Sequence, residues 1–271
     1  MSKGLFITAI GTDIGKTYVT SLLVKRLRDA GVNAGYYKAA LSGAEEQPDG
    51  TWLPGDAVFV AKTANIPEKP ENLVSYIYKE AVSPHLAALR EGNPVEMEKI
   101  EADYQASLAK YDYVTMEGSG GIICPIRWDE EHILLEDIIK KLDLGVLVIS
   151  NAALGSINNC VLTISYLKQK DIPVRGIILN NYDGSNFMQA DNKRMMEEIT
   201  AVPVLACVPP NASELDIDVE VLKGLYKQKS TAPFSLAKAR QFPRGGTKKV
   251  RPQILPAPTG KVPNNVRRKG E

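Results

Sequence analysis

The sequence predicts an α/β fold in which a doubly wound, mostly parallel sheet carries helices on both faces. Short apolar runs alternate with amphipathic segments along residues 4–226, and this alternation is typical of parallel strands joined by crossover helices. A glycine-bearing loop separates the first strand from the first helix. Polar side chains follow the end of each predicted strand, and ligands of such sheets bind beyond the carboxyl ends of the strands.

Each predicted element has a local signal. Apolar runs bounded by glycine, proline or polar residues predict strands at 5–7, 34–40, 113–116, 145–150, 176–179 and 204–208. Apolar residues three and four positions apart predict helices at 16–30, 84–91, 95–110, 133–142, 156–170, 187–200 and 217–226, with a short helix from Asp56. Gly31 ends the first helix, and Pro84 begins the helix at 84–91. We expect these elements to form one domain over residues 1–228.

The segment from Phe6 to Thr17 predicts a phosphate-binding loop. An apolar strand leads into a turn that ends in Gly15-Lys16-Thr17, and a helix follows at once. Backbone N–H groups and the positive end of a helix dipole together bind phosphate. In the motif G-x-x-x-x-G-K-[ST], Lys reaches the outer phosphates and the Thr hydroxyl holds Mg²⁺, although Ile10 occupies the first glycine position here. The combination predicts a fold of the phosphate-loop NTPase type.

The polar residues that follow the other strands predict one site at the carboxyl edge of the sheet. Because parallel strands end at the same edge, their terminal side chains converge. Lys38 and Ser42 lie at the end of the second predicted strand, and Glu117 with the glycine-rich residues 118–121 follows the third. Asn151 and residues 154–156 follow the fourth strand, residues 180–183 the fifth and residues 209–211 the sixth.

Two of these residues add metal and charge chemistry to the loop. Asp56 and Glu117, with Thr17, offer the hard oxygen ligands that Mg²⁺ prefers, although Asp56 also fits a simple helix N-cap. Lys38 would lie beside Lys16, and two ammonium groups near one phosphate stabilise the charge of phosphoryl transfer. The helix start at 155–156 is either an ordinary cap or a site for an anionic substrate group.

Composition predicts a cytoplasmic globular protein. Hydrophobic residues make up 44% of the chain and charged residues 24%, as is usual for globular proteins. The apolar runs are too short to cross a bilayer, and no stretch typical of a signal peptide precedes the first strand. Cys124, Cys160 and Cys207 show no metal-ligand spacing and lie in apolar stretches. We therefore expect buried, reduced thiols and no membrane partner.

Residues 229–271 differ from the rest of the chain. They hold 11 of the 33 Lys and Arg residues but only one of the 32 Asp and Glu residues, so they carry a net charge of +10 and the remainder −9. Six prolines and no apolar periodicity predict a basic, Pro-rich disordered tail. The acidic remainder argues against nucleic acid as a partner of the folded part. The tail is either an inert extension or an arm for RNA or a membrane surface.

With these residues assembled, the sequence resembles the dethiobiotin synthetase family over residues 4–226. The family loop T-G-T-D-T-x-V-G-K-T appears at 8–17 and K-P-x-x-S-G at 38–43. Signatures like A-P-H, E-G-A-G-G and L-G-x-I-N occur at 83–88, 117–121 and 154–158. The departures are Ala9, Ile10 and Gly11 for Gly-Thr-Asp, and Ala39 for proline.

The resemblance implies a role for each matching residue. Lys38, Lys16 and Thr12 would be catalytic, and Thr17, Asp56 and Glu117 would bind magnesium. The substrate would contact Ser42 and Gly118, with its carboxylate at Gly155, Ser156, Ile157 and Asn158 across a homodimer interface. ATP would contact Asp13, Ile14, Gly15, Lys16, Thr17, Tyr18, Asp56, Glu117, Gly118, Ser119 and Gly120, with Asn180, Asn181, Pro209, Pro210, Asn211 and Glu214 towards the adenine.

The implied reaction uses ATP as co-substrate and Mg²⁺ as cofactor. One amine of 7,8-diaminononanoate captures CO₂ as a carbamate, and the γ-phosphate of ATP converts the carbamate into a carbamic–phosphoric anhydride. The second amine then closes the ureido ring and expels phosphate, giving dethiobiotin and ADP. The partners implied are therefore a small diamine, CO₂, ATP and a second copy of the chain.

Three other classes share parts of this pattern. A partition or septum-site ATPase of the deviant phosphate-loop class carries a signature lysine four residues before the glycine of G-K-T, and Gly11 stands there. A regulatory domain related to cobyrinate synthases would be accompanied by a second domain, and residues 229–271 are too short and polar to form one. A GTPase needs N-K-x-D, and Asn181 replaces the lysine in 180–183. The ATPase switch remains the principal alternative to the ligase.

Overall fold

The protein was analysed as a computed structural model that describes residues 3–226. The strands are β1 (Lys3–Ala9), β2 (Ala34–Ser42), β3 (Glu45–Glu46), β4 (Trp52–Leu53), β5 (Val74–Tyr78), β6 (Tyr113–Glu117), β7 (Pro125–Trp128), β8 (His132–Leu134), β9 (Gly145–Ser150), β10 (Val174–Asn180) and β11 (Val204–Val208). The α-helices are α1 (Lys16–Asp29), α2 (Gly55–Ala64), α3 (Pro84–Glu91), α4 (Met97–Lys110), α5 (Leu135–Lys141), α6 (Ser156–Gln169), α7 (Phe187–Thr200) and α8 (Val219–Leu225).

Seven strands form one parallel sheet in the order β11-β10-β9-β1-β6-β2-β5, with helices on both sides. All six residues of β9 are buried, as expected of an apolar strand that is covered on both faces. The predicted doubly wound α/β fold is confirmed. The two hairpins, β3–β4 and β7–β8, lie in the connections that leave the carboxyl ends of β2 and β6.

Two predictions of local structure were wrong. No strand was predicted at β5, which lies at the sheet edge and pairs in parallel with β2. The segment predicted as helix 133–142 instead begins with β8, which pairs antiparallel with β7, while the ring of Trp128 stacks on His132 at 4.1 Å. The helix starts only at Leu135. Its N-cap is Leu134, whose backbone N–H donates a hydrogen bond of 2.8 Å to the Asp137 carboxylate. Both errors concern strands that are defined by pairing with another strand, β2 for β5 and the adjacent β7 for β8.

The described residues test the predictions about cysteines and membrane helices. Cys124 and Cys160 are buried free thiols as predicted, but Cys207 is only half-buried because β11 lies at a sheet edge. Within residues 3–226, every helix is too short or too polar to cross a bilayer. The predicted tail at 229–271 lies outside the described residues, so its disorder stays a prediction.

Candidate active site

The phosphate loop connects the carboxyl end of β1 to the start of α1, as predicted. Gly15 has φ of +91°, a left-handed conformation that favours glycine. A Cβ atom at Gly15 would also lie 2.2 Å from Nδ2 of Asn180, so the position has no space for a side chain. The Gly15 carbonyl accepts the N–H of Val19 at 3.0 Å, which starts the helical hydrogen bonds. The loop thus directs the free N–H groups of the first turn of α1 towards the carboxyl edge of the sheet.

Lys16 lies within this loop and is 9% exposed. Its ammonium donates a hydrogen bond of 3.2 Å to the carbonyl of Gly11. Burial, followed by the nearby charge of Lys38, lowers the pKa of Lys16, although Glu117 and Asp56 partly oppose this shift. An anionic phosphate in the loop would therefore stabilise the charged form of Lys16.

Lys38 is buried between two carboxylates. Its ammonium lies 2.6 Å from Oδ2 of Asp56 and 3.0 Å from Oε1 of Glu117. The pairing follows from the sheet, because Lys38 on β2 stands opposite Glu117 on β6. Burial lowers the pKa of Lys38, but the charges and hydrogen bonds of Glu117 and Asp56 outweigh it, so the pKa lies above its ordinary value. Lys38 therefore carries a full positive charge at the end of the sheet.

The hydroxyl of Thr17 joins the same cluster. It lies 2.8 Å from Oε1 of Glu117 and 3.0 Å from Oδ1 of Asp56. Asp56 belongs to the first turn of α2, whose N-cap is Pro54, so the N-cap interpretation of Asp56 was wrong. Burial raises the pKa of Asp56, but Lys38 and the hydroxyl of Thr17 outweigh it and keep the pKa below its usual value. Asp56 is thus held as an anion.

The donor set of this cluster fits a magnesium ion. One hydroxyl oxygen and two carboxylate oxygens converge within hydrogen-bond distance, and hard oxygen ligands of this kind suit Mg²⁺. Within residues 3–226, no three His, Cys, Asp or Glu side chains cluster as a metal site. Phosphate and water oxygens would therefore have to complete the coordination.

A cleft of about 1140 Å³ contains the loop and the cluster. The loop after β6 is held against its neighbours, because Oγ of Ser119 donates to the carbonyl of Ala40 at 2.8 Å and the Gly118 N–H donates to the carbonyl of Ile7 at 2.9 Å. Among the predicted site residues the cleft is lined by Thr12, Asp13, Gly15, Lys16, Thr17, Tyr18, Lys38, Ser42, Asp56, Glu117, Gly118, Ser119 and Gly120.

Asn180, one of the residues predicted around adenine, lies beside the loop. Nδ2 of Asn180 donates a hydrogen bond of 2.8 Å to the carbonyl of Ile14. Oδ1 of Asn180 is buried and has no hydrogen-bond partner among residues 3–226. The Tyr18 hydroxyl donates to the carbonyl of Ala212, which ties α1 to the segment after β11. Asn181 follows β10, and Pro209, Pro210 and Asn211 follow β11.

Two groups of predicted residues lie apart from the cleft. Glu214 lines a separate depression beside α1, of about 420 Å³, with Lys25 and Asp216. Gly155 and residues 156–158 start α6, where Ser156 is buried and its hydroxyl donates to the carbonyl of Ala153 at 2.6 Å. Within one chain the described structure does not bring either group to the phosphate loop.

The structure adds residues that the sequence analysis did not assign to the site. Val82, Ser83 and Cys124 line the cleft, and the Ser42 hydroxyl donates to the carbonyl of Val82 at 2.5 Å. The family signature at 83–88 was the available signal for Ser83. The Tyr36 hydroxyl lies 3.3 Å from Oε2 of Glu117, and no motif marks it.

Comparisons with known proteins identify the family of the chain. A family model described as "AAA domain" matches residues 3–215, so the chain belongs to that family of phosphate-loop proteins. Among solved structures, the MinC:MinD cell division protein complex of Aquifex aeolicus is similar with a TM-score of 0.49 and 14% identity, over 82% of this chain and 86% of the other.

Relatives of closer sequence carry a functional name. An ATP-dependent dethiobiotin synthetase BioD of Clostridium botulinum (strain Eklund 17B / Type B) is 52% identical over 226 residues, 83% of this chain and 99% of the relative. The protein of the same name from strain Loch Maree / Type A3 is 50% identical over 228 residues, 84% of this chain and 100% of the relative. The chain therefore belongs to the ATP-dependent dethiobiotin synthetase family, a family of ligases, as its motifs predict.

Proposed function

We propose that this cleft carries out the ATP-dependent carboxylation and ring closure of 7,8-diaminononanoate with CO₂, yielding dethiobiotin, ADP and phosphate. One structural observation supports the proposal most directly. The ammonium of Lys38, the carboxylates of Asp56 and Glu117, and the phosphate loop with Lys16 all line one cleft. Phosphoryl transfer depends on positioning and on positive charge near the phosphates, and this arrangement offers both to a bound carbamate.

The proposed roles follow from charge and position. Lys16 and the N–H groups at the start of α1 bind the outer phosphates, and Lys38 neutralises charge that develops as the γ-phosphoryl group moves. Thr17, Asp56 and Glu117 would hold Mg²⁺, which neutralises phosphate oxygens when it is bound. Lys38 lies 2.6 Å from Asp56 and 3.0 Å from Glu117, and the raised pKa of Lys38 agrees with its role as a cation. Thr12 lies at the wall of the same cleft.

The adenine would lie next to Asn180. The buried Oδ1 of Asn180 lacks a partner among residues 3–226, and a buried acceptor without a donor is costly. The exocyclic amino group of adenine supplies such a donor. Its neighbours would be Asn181, Pro209, Pro210 and Asn211, and Glu214 would have to reach it from its separate depression.

The diamine would occupy the other end of the cleft. Ser42 and Gly118 lie beside apolar wall residues, including Leu41 and Val82, which suit an aliphatic chain. Its carboxylate would bind at the start of α6, where Gly155 has φ of +87° and free N–H groups favour an anion. Since 155–158 do not line the cleft of their own chain, this group would come from a second copy.

We expect a homodimer for this reason. Leu154 is 89% exposed, Phe187 88% and Leu162 60%, and they belong to the loop before α6, the start of α7 and α6 itself. Sedimentation of the full chain is expected to give twice the chain mass. Leu162→Glu should yield monomer and lower dethiobiotin formation about tenfold or more, as loss of a central interface contact does. Leu89→Glu, at an equally exposed position on α3, serves as the control. A fully active monomer would exclude the shared site.

ATP turnover with and without diamine and bicarbonate tests the proposed function. The ligase forms dethiobiotin and hydrolyses ATP only with both co-substrates present, and mass spectrometry identifies the product. ATPase activity that needs neither co-substrate but responds to a protein or lipid would instead support the partition or septum-site switch. We further propose a cytoplasmic location, in keeping with small soluble substrates.

A further inference from the structure

The two carboxylate oxygens of Glu117 have different partners. Oε1 faces the cluster, 2.8 Å from the Thr17 hydroxyl and 3.0 Å from the Lys38 ammonium. Oε2 accepts a hydrogen bond of 3.3 Å from the hydroxyl of Tyr36. The Glu117 side chain is fully buried, so each of its oxygens depends on such partners.

The parallel pairing of β2 and β6 produces this division of partners. Tyr36 and Lys38 are two residues apart on β2 and therefore lie on the same face of the sheet. Lys38 stands opposite Glu117 and Tyr36 opposite Thr115, so both side chains reach the Glu117 carboxylate. Tyr36 has no exposed surface, and burial together with the charges of Glu117 and Asp56 raises its pKa well above the ordinary value. Its hydroxyl is the donor of this bond, because an ionised carboxylate oxygen can only accept.

We propose that Tyr36 is a positioning residue that orients the Glu117 carboxylate for magnesium. The terminal torsion of a Glu side chain is broad, so its hydrogen bonds fix the orientation of the carboxylate plane, and Tyr36 supplies the one to Oε2. With Oε2 bound to Tyr36, Oε1 stays directed at Thr17 and at the place of the ion. Without the hydroxyl, a buried carboxylate oxygen loses its donor, and the carboxylate turns to share Lys38 between both oxygens. This inference rests on the proposed function, because it assumes the magnesium site.

The test compares Tyr36→Phe with Tyr37→Phe. Tyr37 is an ideal match because it is the next residue on β2, is 1% exposed, and has a hydroxyl bonded to Ser75 at 2.6 Å and to the Ile100 carbonyl at 3.2 Å, away from the cleft. Calorimetry of ADP binding over a series of Mg²⁺ concentrations gives the half-saturating Mg²⁺ for each variant. Steady-state kinetics over the same series gives kcat and KM.

Tyr36→Phe is expected to raise the half-saturating Mg²⁺ about tenfold or more, the usual effect of losing a hydrogen bond to a metal ligand. Its affinity for ADP without Mg²⁺ should stay within about twofold, because Tyr36 is not among the residues that line the cleft. Saturating Mg²⁺ should restore most of kcat. Tyr37→Phe should match the unchanged protein in all three measurements.

Two results would overturn the inference, and they are distinguishable. If Tyr36→Phe and Tyr37→Phe have the same half-saturating Mg²⁺, Tyr36 does not position Glu117, and the proposed function stands. If the unchanged protein binds ADP with no dependence on Mg²⁺, the proposed metal site itself fails. Circular dichroism and thermal unfolding of both variants show that the comparison concerns folded protein.

Discussion

Lys38→Ala is expected to lower kcat by about 10²- to 10³-fold, the usual effect of removing one group that stabilises transition-state charge. The affinity for ADP should change by less than about threefold, because Lys16 and the loop N–H groups hold the nucleotide. Lys38 is the buried cation between Asp56 and Glu117, and no other cation of the cluster occupies that position. Steady-state kinetics and calorimetry with ADP measure the two effects separately.

Lys170→Ala is the matched control for this experiment. Lys170 also pairs with a buried glutamate, lying 2.8 Å from Glu136, but it does not line the cleft. Its removal should leave kcat unchanged. Lys38→Ala leaves the carboxylates of Asp56 and Glu117 without the cation between them, and this could destabilise the fold. Melting temperatures with and without Mg²⁺ therefore show whether a loss of turnover reflects a loss of folded protein. Unchanged turnover in folded Lys38→Ala would exclude a catalytic role for Lys38.

Lys16→Ala is expected to weaken ADP and ATP binding by about 30- to 1000-fold, equivalent to about 2–4 kcal/mol for a truncated charge pair. The reason is that Lys16 is almost fully buried within the phosphate loop and that, within residues 3–226, its ammonium bonds to the Gly11 carbonyl rather than to a carboxylate. Its favourable interaction is therefore made mainly with the bound phosphates. Both kcat/KM and nucleotide affinity should fall, in contrast to Lys38→Ala.

Lys25→Ala on the same helix is the control for Lys16. Lys25 is partly exposed and forms a salt bridge with Asp29 one helical turn away, and such surface pairs contribute little. Its replacement should leave ADP affinity unchanged within error. If Lys16→Ala bound ADP as tightly as Lys25→Ala, the loop would not be the phosphate site, and the placement of ATP in this cleft would fail.

Several features of the fold and site were predictable because their causes are local. The loop before α1 follows from a strand, a glycine and Gly15-Lys16-Thr17 in immediate succession. Most helices were located by apolar spacing and by start and stop residues. The convergence of Lys38 and Glu117 on one edge followed from a general property of parallel sheets, and the structure places them 3.0 Å apart.

The errors have a shared physical origin. The sequence of β5 is short and contains Ser75, whose hydroxyl bonds to Tyr37 on the neighbouring strand; only pairing with β2 defines it as a strand. The first residues of the predicted helix 133–142 form β8 because β7 supplies a partner. The strand or helix propensity of a short segment does not include the free energy that the segment gains by pairing with another strand.

The sequence by itself therefore determined the α/β class, the phosphate loop and the family, because each depends on residue types in fixed local order. Only the tertiary structure decided that one oxygen of Glu117 contacts Thr17 while Tyr36 binds the other, and that residues 155–158 do not line their own cleft. These features depend on strand register and on distances between segments far apart in the chain, and such distances exist only once the sheet has formed.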